Sequence, residues 1–559
     1  MDQQVEKPRF GDLFDPEQAS ETAAQTASGH AESRQSAERQ SAELLVTSIS
    51  FSQASDSDSA TDPATDVGGS VGAEVEDLFV ELTSPTDTSG AFFQPPSMGA
   101  SSIQLTDVVA SVHESYPLVF AAFQERAIAD GNQVSAWGSF DTKLKASSET
   151  NPVGFYQTYR TKAGLERPIY SGGEFFAGYK IGKGDFEPWY LERETDEGGE
   201  FRAGVLVPLG RNRDIDSRRA DLWRATYDRQ IANPLIRTQL VLFAREASLA
   251  YWKWVAAGEK YKLGLRWVEL AEDRNQRIIN QYNAEELAIV DVRDNEAAIA
   301  KRKAKLAEAK NELRQAAVKL GLYFRDPGTG KPIIPTADRS PGFPALRASN
   351  ADGFAVDVPS AQAARPELQA LGLELRKLQV DFAEAENLTK AGLDALIAGS
   401  QDVGQNASSS EDKDQFVVEA SLFFDVPLER RKGRGKMHAV QAKMAAVNAK
   451  RRLVQEKVTG EVMLVYVALE ETRKQAQQST ESVDLYDFVA EKERVRFELG
   501  ESDLLKVALR EQYALEAAEE QITALYKHFV AFTEYAAVLA IDRPSVDILP
   551  AVANTAEAE

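Results

Sequence analysis

Few residues in this chain stand at spacings that do chemistry. It has no cysteine, which removes disulfides, thiolate metal sites and cysteine nucleophiles together. Its four histidines, at positions 30, 113, 438 and 528, are scattered, with no pair at a ligand spacing. Gly328-Thr329-Gly330-Lys331 has the look of a phosphate loop. However, no glycine lies five residues before Gly330, and Pro332 stands where that loop needs Ser or Thr. No acid–base pair, metal box or nucleophile constellation is present, so neither an enzyme nor a cofactor is expected. Charge is what stands out. Arg211, Arg213, Arg218 and Arg219, and again Arg430, Arg431, Lys432, Arg434 and Lys436, each follow a run of strand-like residues. Such cations either hold anionic headgroups where a strand leaves a membrane or form a solvated positive face.

Composition bounds the rest. The 559 residues suffice for two or three ordinary domains and carry a net charge of −23. That charge argues against a nucleic-acid partner, because a phosphate backbone wants a basic face. Residues 1–102 are rich in Asp, Glu, Ser, Thr, Ala and Gln, with only Lys7, Arg9, Arg34 and Arg39 as cations. A segment of that kind buries too little apolar surface to offset its ordering entropy, so a disordered acidic tail is expected there. A second short tail is expected over 541–559. No stretch approaches the roughly 20 apolar residues of a transmembrane helix. The chain does not open with a basic region and an apolar core, so no signal peptide is expected in it.

The elements that must position these charges come in two sets. The first half, 103–322, reads as a helix from Leu105 to about Gly131, strand signals over 134–208, a long helix over about 214–282 and a shorter one from Leu287 to Leu322. The second half, 361–540, reads as a helix from Arg365 to about Lys390, strand signals at 393–400 and 415–428, a long helix over 434–498 and a closing helix from Leu504 to about Leu539. A Pro/Gly-rich linker over 323–360 joins them. The first half is longer than the second, and its surplus covers Phe155 to Tyr190, an extra hairpin or a surface loop. A helix of about 70 residues is ~100 Å long, which no compact domain needs, and helices beyond ~25 residues suggest coiled coils or helical repeats. The two short helices of a half together come to roughly the length of its long one, so they could stack beside it end to end. Proline removes a ladder bond, so Asn233-Pro234 predicts a kink or break near Ala232. Asn283 and Gly500 tolerate a left-handed turn at the ends of the long helices. Ser502 or Asp503 can cap the next helix, and Glu285 or Glu286 favours a helix start by charge.

The strand candidates alternate. Ala136 to Ala146 sets Phe140, Thr142 and Leu144 against Asp141, Lys143 and Lys145. Gln415 to Val426 sets Phe416, Val418, Ala420, Leu422 and Phe424 against Val417, Glu419, Ser421 and Asp425. A run of ~10 such residues suits a membrane-spanning barrel strand, and equally a half-buried soluble strand. Trp137, Tyr156, Tyr159, Tyr170, Tyr179, Trp189 and Tyr190 lie around them, as in an interfacial girdle or in loops. Two strands per half cannot close a barrel, and open edges are forbidden in lipid, so a membrane reading demands several chains in one barrel.

In this pattern the chain resembles the outer-membrane efflux protein (TolC) family over about 103–540. The resemblance rests on the repeated plan, on Val205-Leu206-Val207-Pro208-Leu209 and Val426-Pro427-Leu428, and on Arg365-Pro366-Glu367-Leu368. The tips Tyr282-Asn283-Ala284-Glu285-Glu286-Leu287 and Arg496 to Leu505 also match. It implies a mainly α fold with β, of TolC-like plan. In that plan two internal repeats build a long antiparallel α-helical barrel continued by a twelve-stranded β-barrel shared between three chains. It further implies a passive exit duct of a tripartite efflux or type I secretion system in the cell outer membrane, extending into the periplasm. The partners would be two further copies, a periplasmic adaptor (membrane fusion) protein, an inner-membrane transporter and outer-membrane lipid. Asn283, Ala284, Glu285, Glu286 and Leu287, with Gly500, Glu501, Ser502, Asp503 and Leu504, would be the adaptor-docking tips. Glu285, Glu286, Glu501 and Asp503 would line a cation-favouring entrance. The chain departs from the family in the surplus over 155–190, in Asn283 where a glycine is usual, and in its acidic tail. The rival reading is a soluble, elongated coiled-coil scaffold, which leaves the repeated strand blocks unexplained.

Overall fold

The computed structural model describes residues 102–186, 195–285, 287–347, 353–405 and 415–545. Residues 1–101 of the acidic tail, 546–559 of the C-terminal tail, Trp189, Tyr190 and Glu286 lie outside the described residues. In chain order the helices are α1 Leu105–Ser115, α2 Pro117–Trp137, α3 Ser217–Asn283, α4 Ile289–Gly321, α5 Phe354–Ala364, α6 Pro366–Asn387, α7 Arg431–Glu498 and α8 Leu504–Val538. The strands are β1 Lys143–Asn151, β2 Thr158–Pro168, β3 Glu174–Gly184, β4 Glu200–Pro208, β5 Gly392–Asp402 and β6 Val417–Asp425. Two compact units result, and each draws on both halves of the chain. The sheet unit comprises described residues of 137–221 and 383–436, and the helical unit those of 102–136, 222–382 and 437–545.

Several sequence expectations are corrected. The leading helix is two helices, because Tyr116 takes an extended conformation ahead of Pro117, which opens α2. Residues 136–140 are not strand: α2 runs to Trp137, a 3-10 turn covers Gly138–Phe140, and β1 begins at Lys143. The alternation at 136–142 is carried mostly by small and polar residues, and extending an existing helical ladder costs less than nucleating a strand. The helix α3 runs unbroken through Pro234 for 67 residues. Ala232 and Ile236 are buried on either side of the proline, so packing keeps the helix from breaking where one ladder bond is missing. The linker contains a helix of its own, α5, whose Asp357 Oδ2 accepts hydrogen bonds from the hydroxyls of Tyr466 (2.5 Å) and Tyr535 (2.7 Å).

Within the helical unit, the core gathers where α3 carries Phe243, Ala244, Ala247, Tyr251, Trp254 and Val255, spaced three and four apart. Against them pack Val108 and Val112 of α1, Leu313 and Leu320 of α4, Val462 and Leu469 of α7, and Phe529 and Phe532 of α8. Trp252 stacks on Phe529 at 4.3 Å between ring centres, and Phe529 on Phe343 at 5.5 Å. Each large side chain buried here contributes ~1.5–3 kcal/mol. The short helices lie beside α3 in succession. Near its start Arg224 pairs with Asp381 of α6 at 2.8 Å, and Gln133 of α2 donates to Thr226 at 2.9 Å. Further along, Arg245 pairs with Glu534 of α8 at 2.5 Å and Lys303 of α4 with Glu272 at 2.6 Å.

One carboxylate ties four helices. Glu511 of α8 is 1% exposed and lies on the stripe Val507, Glu511, Ala514, Ala517 that α8 buries. Its Oε2 accepts from Arg274 of α3 at 2.6 Å and from Arg302 of α4 at 2.9 Å, and Arg494 of α7 lies 3.6 Å from Oε1. Arg274 also donates to Asn295 at 3.1 Å. Burial pushes the Arg274 guanidinium below its ordinary value; Glu511 opposes that, and Arg302 adds to it. Breaking such a pair leaves uncompensated charge in the interior. Glu511→Ala is therefore expected to cost ~3–5 kcal/mol, read as a lowered thermal midpoint by far-ultraviolet circular dichroism; an unchanged midpoint refutes the clamp. A second prediction concerns His528, 2% exposed on α8 beside Thr472 at 3.3 Å. Burial, aided by Arg473, depresses its value from 6.5 to about 4. The unfolded chain thus binds the proton more readily, so this contribution is present above pH 6.5 and is lost as pH falls toward about 4. The wild type is expected to lose more thermal stability than His528→Gln across that window; equal losses refute it.

Candidate functional site

Among the described residues, the sheet unit holds one antiparallel sheet of six strands in the order β1 to β6. The surplus of the first half is resolved as the hairpin β2–β3, which lies in line with the rest, so the first half supplies four strands and the second two. Gly173 makes the hairpin turn possible. It stands at φ +87, and a Cβ there would meet the Leu206 carbonyl oxygen at 2.1 Å. Every strand is 9 or 11 residues long, the length a tilted strand needs to cross a bilayer core.

Register sorts the side chains. Cross-strand partners share a face, and the row Leu144, Leu165, Ala177, Ala203, Gly399, Val418 crosses all six strands. The neighbouring row on the opposite face is Lys145, Gly164, Gly178, Arg202, Ser400, Val417. The first face is apolar and outward: Leu144 is 78% exposed, Leu422 71%, Phe424 69% and Ile397 62%. The second is charged and closes on itself. Arg202 pairs with Glu419 at 2.6 Å, Lys180 with Glu200 at 2.7 Å, and Lys145 with Glu166. Phe176, Leu396 and Ala398 form a small apolar floor on this face. The alternation read over 415–426 falls on the faces it predicted. Aromatic rings gather at the strand ends. Trp137, Phe140 and Tyr170 cluster at the start of β1, while Phe155, Tyr156 and Phe416 lie at the opposite end.

The basic residues behind the strands divide. Arg211 pairs with Asp425 at 2.9 Å, and Arg219 is buried against Asp216 at 3.1 Å while donating to the carbonyl of Arg213 at 2.8 Å. Arg218 faces Asp216 at 3.5 Å. Arg213 is exposed, as are Arg430, Arg431, Lys432, Arg434 and Lys436 around the start of α7. Cations there oppose the helix dipole, a local cost that the fold does not recover through the exposed side chains.

The two helical tips belong to the helical unit. At the first, α3 extends through Asn283, and the left-handed residue is Glu285 at φ +63, not Asn283. The ladder persists past Asn283, since Ala284 N–H still donates to the Asn280 carbonyl at 3.0 Å. Helix α4 is started by Asp291, which accepts from Ala288 N–H at 3.1 Å, and not by Glu285. Asn283, Ala284 and Glu285 are exposed, Leu287 is half-buried, and Ile289 and Val290 are exposed beside them. At the second tip Gly500 is left-handed at φ +76, and Glu501 N–H returns to the Arg496 carbonyl at 2.8 Å. Asp503 caps α8 by accepting from Lys506 N–H at 2.9 Å, and its carboxyl is held below the usual range by hydrogen bonds from the Lys506 side chain and backbone. Ser502 donates to Glu493. Leu499 and Leu505 stand 69% and 79% exposed around this turn. Arg277 and Glu498 pair behind the tips and so join α3 to α7. Sequence reading missed the Glu511 clamp just behind them; the one signal was a carboxylate interrupting an apolar stripe.

No family sequence model and no curated protein sequence matches the chain. Solved structures do. The Campylobacter jejuni CmeC outer membrane channel aligns with TM-score 0.53 and 12% identity, over 81% of this chain and 91% of its own. The open state of the Neisseria gonorrhoeae MtrE outer membrane channel aligns with TM-score 0.54 and 14% identity, over 80% and 92%. The Vibrio cholerae outer membrane protein VceC gives 0.54 and 12%, over 78% and 96%. The resemblance read from the residues is thus also one of structure, and the fold of this chain is that of the outer-membrane channels of the TolC type.

Proposed function

We propose that this chain is one third of an outer-membrane exit duct. Three copies share a β-barrel, their helices form an antiparallel helical barrel in the periplasm, and the two halves of each chain are structural repeats. The duct has no chemistry of its own; it conducts substrates passively from an inner-membrane transporter and its periplasmic adaptor to the exterior, as the exit of a tripartite efflux or type I secretion system. The observation that carries this reading is the sheet. A row of apolar residues faces outward on all six strands while the other face is charged and ion-paired. A soluble sheet does not leave so wide an apolar face bare, whereas a bilayer requires one. This also weighs against the soluble scaffold.

In this reading, Asn283, Ala284, Glu285, Glu286 and Leu287 dock the adaptor together with Gly500, Glu501, Ser502, Asp503 and Leu504. Exposed Leu499, Leu505, Ile289 and Val290 supply the apolar contact around them. Glu285, Glu286, Glu501 and Asp503 make the entrance cation-favouring. Exposed Arg213, Arg430, Arg431, Lys432 and Arg434, with Arg211 beside Asp425, meet anionic headgroups.

Cell fractionation followed by electrophoresis of unheated and heated detergent extract tests the assembly. The expected result is an outer-membrane complex three times the 61.4 kDa chain that heating dissociates; a soluble monomer or dimer refutes it. At the second tip, Gly500→Val forces a branched side chain into a left-handed turn, at a cost of ~1–2 kcal/mol. It is expected to weaken cross-linking to a co-expressed adaptor while the trimer persists; undiminished cross-linking removes this tip from the docking surface.

A further inference from the structure

The hairpin β2–β3 lies within the sheet, not outside it. β2 pairs with β1 over nine residues and with β3 over eleven, and β3 pairs onward with β4 over seven. Four observations place it in the wall of any barrel this sheet forms. Its strands are 11 residues long, no shorter than their neighbours. Its outward residues, Thr161, Ala163, Leu165, Phe175, Ala177 and Ile181, share the face of Leu144, Val205, Ile397 and Leu422. Of its charged residues, Arg160, Lys162, Glu166, Glu174 and Lys180 share the opposite face, where Lys145–Glu166 and Lys180–Glu200 join it to β1 and β4, while Arg167 and Lys183 stand on the apolar face near the strand ends. Finally, β1 has no strand partner but β2 among the described residues, so lifting the hairpin out would strip β1 of its entire ladder.

Six strands keep the parity that closure demands. In an antiparallel sheet of even number, β6 of one copy runs antiparallel to β1 of the next, and the apolar rows of Leu422 and Leu144 continue across the junction. We infer, resting on the three-copy reading above, that the barrel is eighteen-stranded, with β2–β3 of each copy crossing the bilayer. The barrel diameter grows roughly linearly with strand number, so the bore is about half as wide again as that of a twelve-stranded wall, and walls of that size leave an aqueous channel. The charged inner face suits hydrated, polar cargo, wider than a twelve-stranded duct would pass.

The absence of cysteine makes the test direct. Single variants Ala163→Cys and Ala177→Cys on the apolar face, Lys162→Cys on the charged face, Gln157→Cys in the β1–β2 turn and Val418→Cys on β6 are treated in outer-membrane vesicles with a membrane-impermeant maleimide. Denatured samples calibrate full labelling. Ala163→Cys and Ala177→Cys are expected to label at least tenfold slower than Gln157→Cys, with Val418→Cys equally protected and Lys162→Cys reactive from the lumen. Fast labelling of Ala163→Cys and Ala177→Cys beside a protected Val418→Cys overturns the eighteen-stranded wall and leaves the duct standing. Fast labelling of Val418→Cys as well overturns both. Averaged electron images of the extracted wild-type complex allow the strands to be counted independently: eighteen upholds the inference and twelve refutes it.

Discussion

A β-strand alternates its side chains with a period of two, so a register slip of one residue would turn every side chain to the other face. In this chain six strands hold one common register, from Leu144 in β1 to Val418 in β6. Everything functional about the sheet follows from that constraint. It collects most of the apolar residues on one side, where nothing in the described chain covers them, and most of the charged ones on the other, where Lys145–Glu166, Lys180–Glu200 and Arg202–Glu419 pair. Under the proposed membrane reading the logic is that of a wall: in hydrocarbon each unpaired backbone group costs several kcal/mol, so the edges would close on further strands. The proposal of a shared barrel is that requirement applied to this sheet.

The helical unit solves a different problem. Long helices built from Ala, Glu, Lys and Arg bury little per turn, and most of their exposed ion pairs contribute little. Stability is concentrated at two places. One is the aromatic core around Trp252 and Phe529, where rings stack at 4.3 Å. The other is Glu511, whose single carboxylate meets arginines from three other helices. An apolar residue at 511 would pack more cheaply, but it would not select one register for four helices at once. The tips extend beyond that clamp as short, exposed turns, with Gly500 and Asp503 shaping one and Glu285 and Asp291 the other.

Glycine and proline decide the connections. Gly173 accepts a conformation and a backbone approach that no side chain would fit, and so makes β2–β3 a tight hairpin in the sheet rather than a loop above it. Pro117 and Pro366 open helices, where a missing amide costs nothing. Pro234 shows the limit of local rules: its flanks are buried, and the helix passes through it.

The sequence by itself determined the mainly helical class, the long helices, the turn at Gly500, a cap at Ser502 or Asp503 and the two faces of β6. All of these are local, set by periodicities of 3.6 and 2 and by residues with special backbone freedom. The rest was decided by partners distant in the chain. Whether the hairpin over 158–184 joined the sheet depended on β1 and β4 offering edges to it. Whether Asn233-Pro234 broke a helix depended on what packed beside it. The helix hidden in the linker depended on Tyr466 and Tyr535, more than a hundred residues away, reaching Asp357. Glu511 became a clamp only when arginines from three other helices converged on it. An ion pair's strength comes from burial and geometry, and neither is a property of a sequence window.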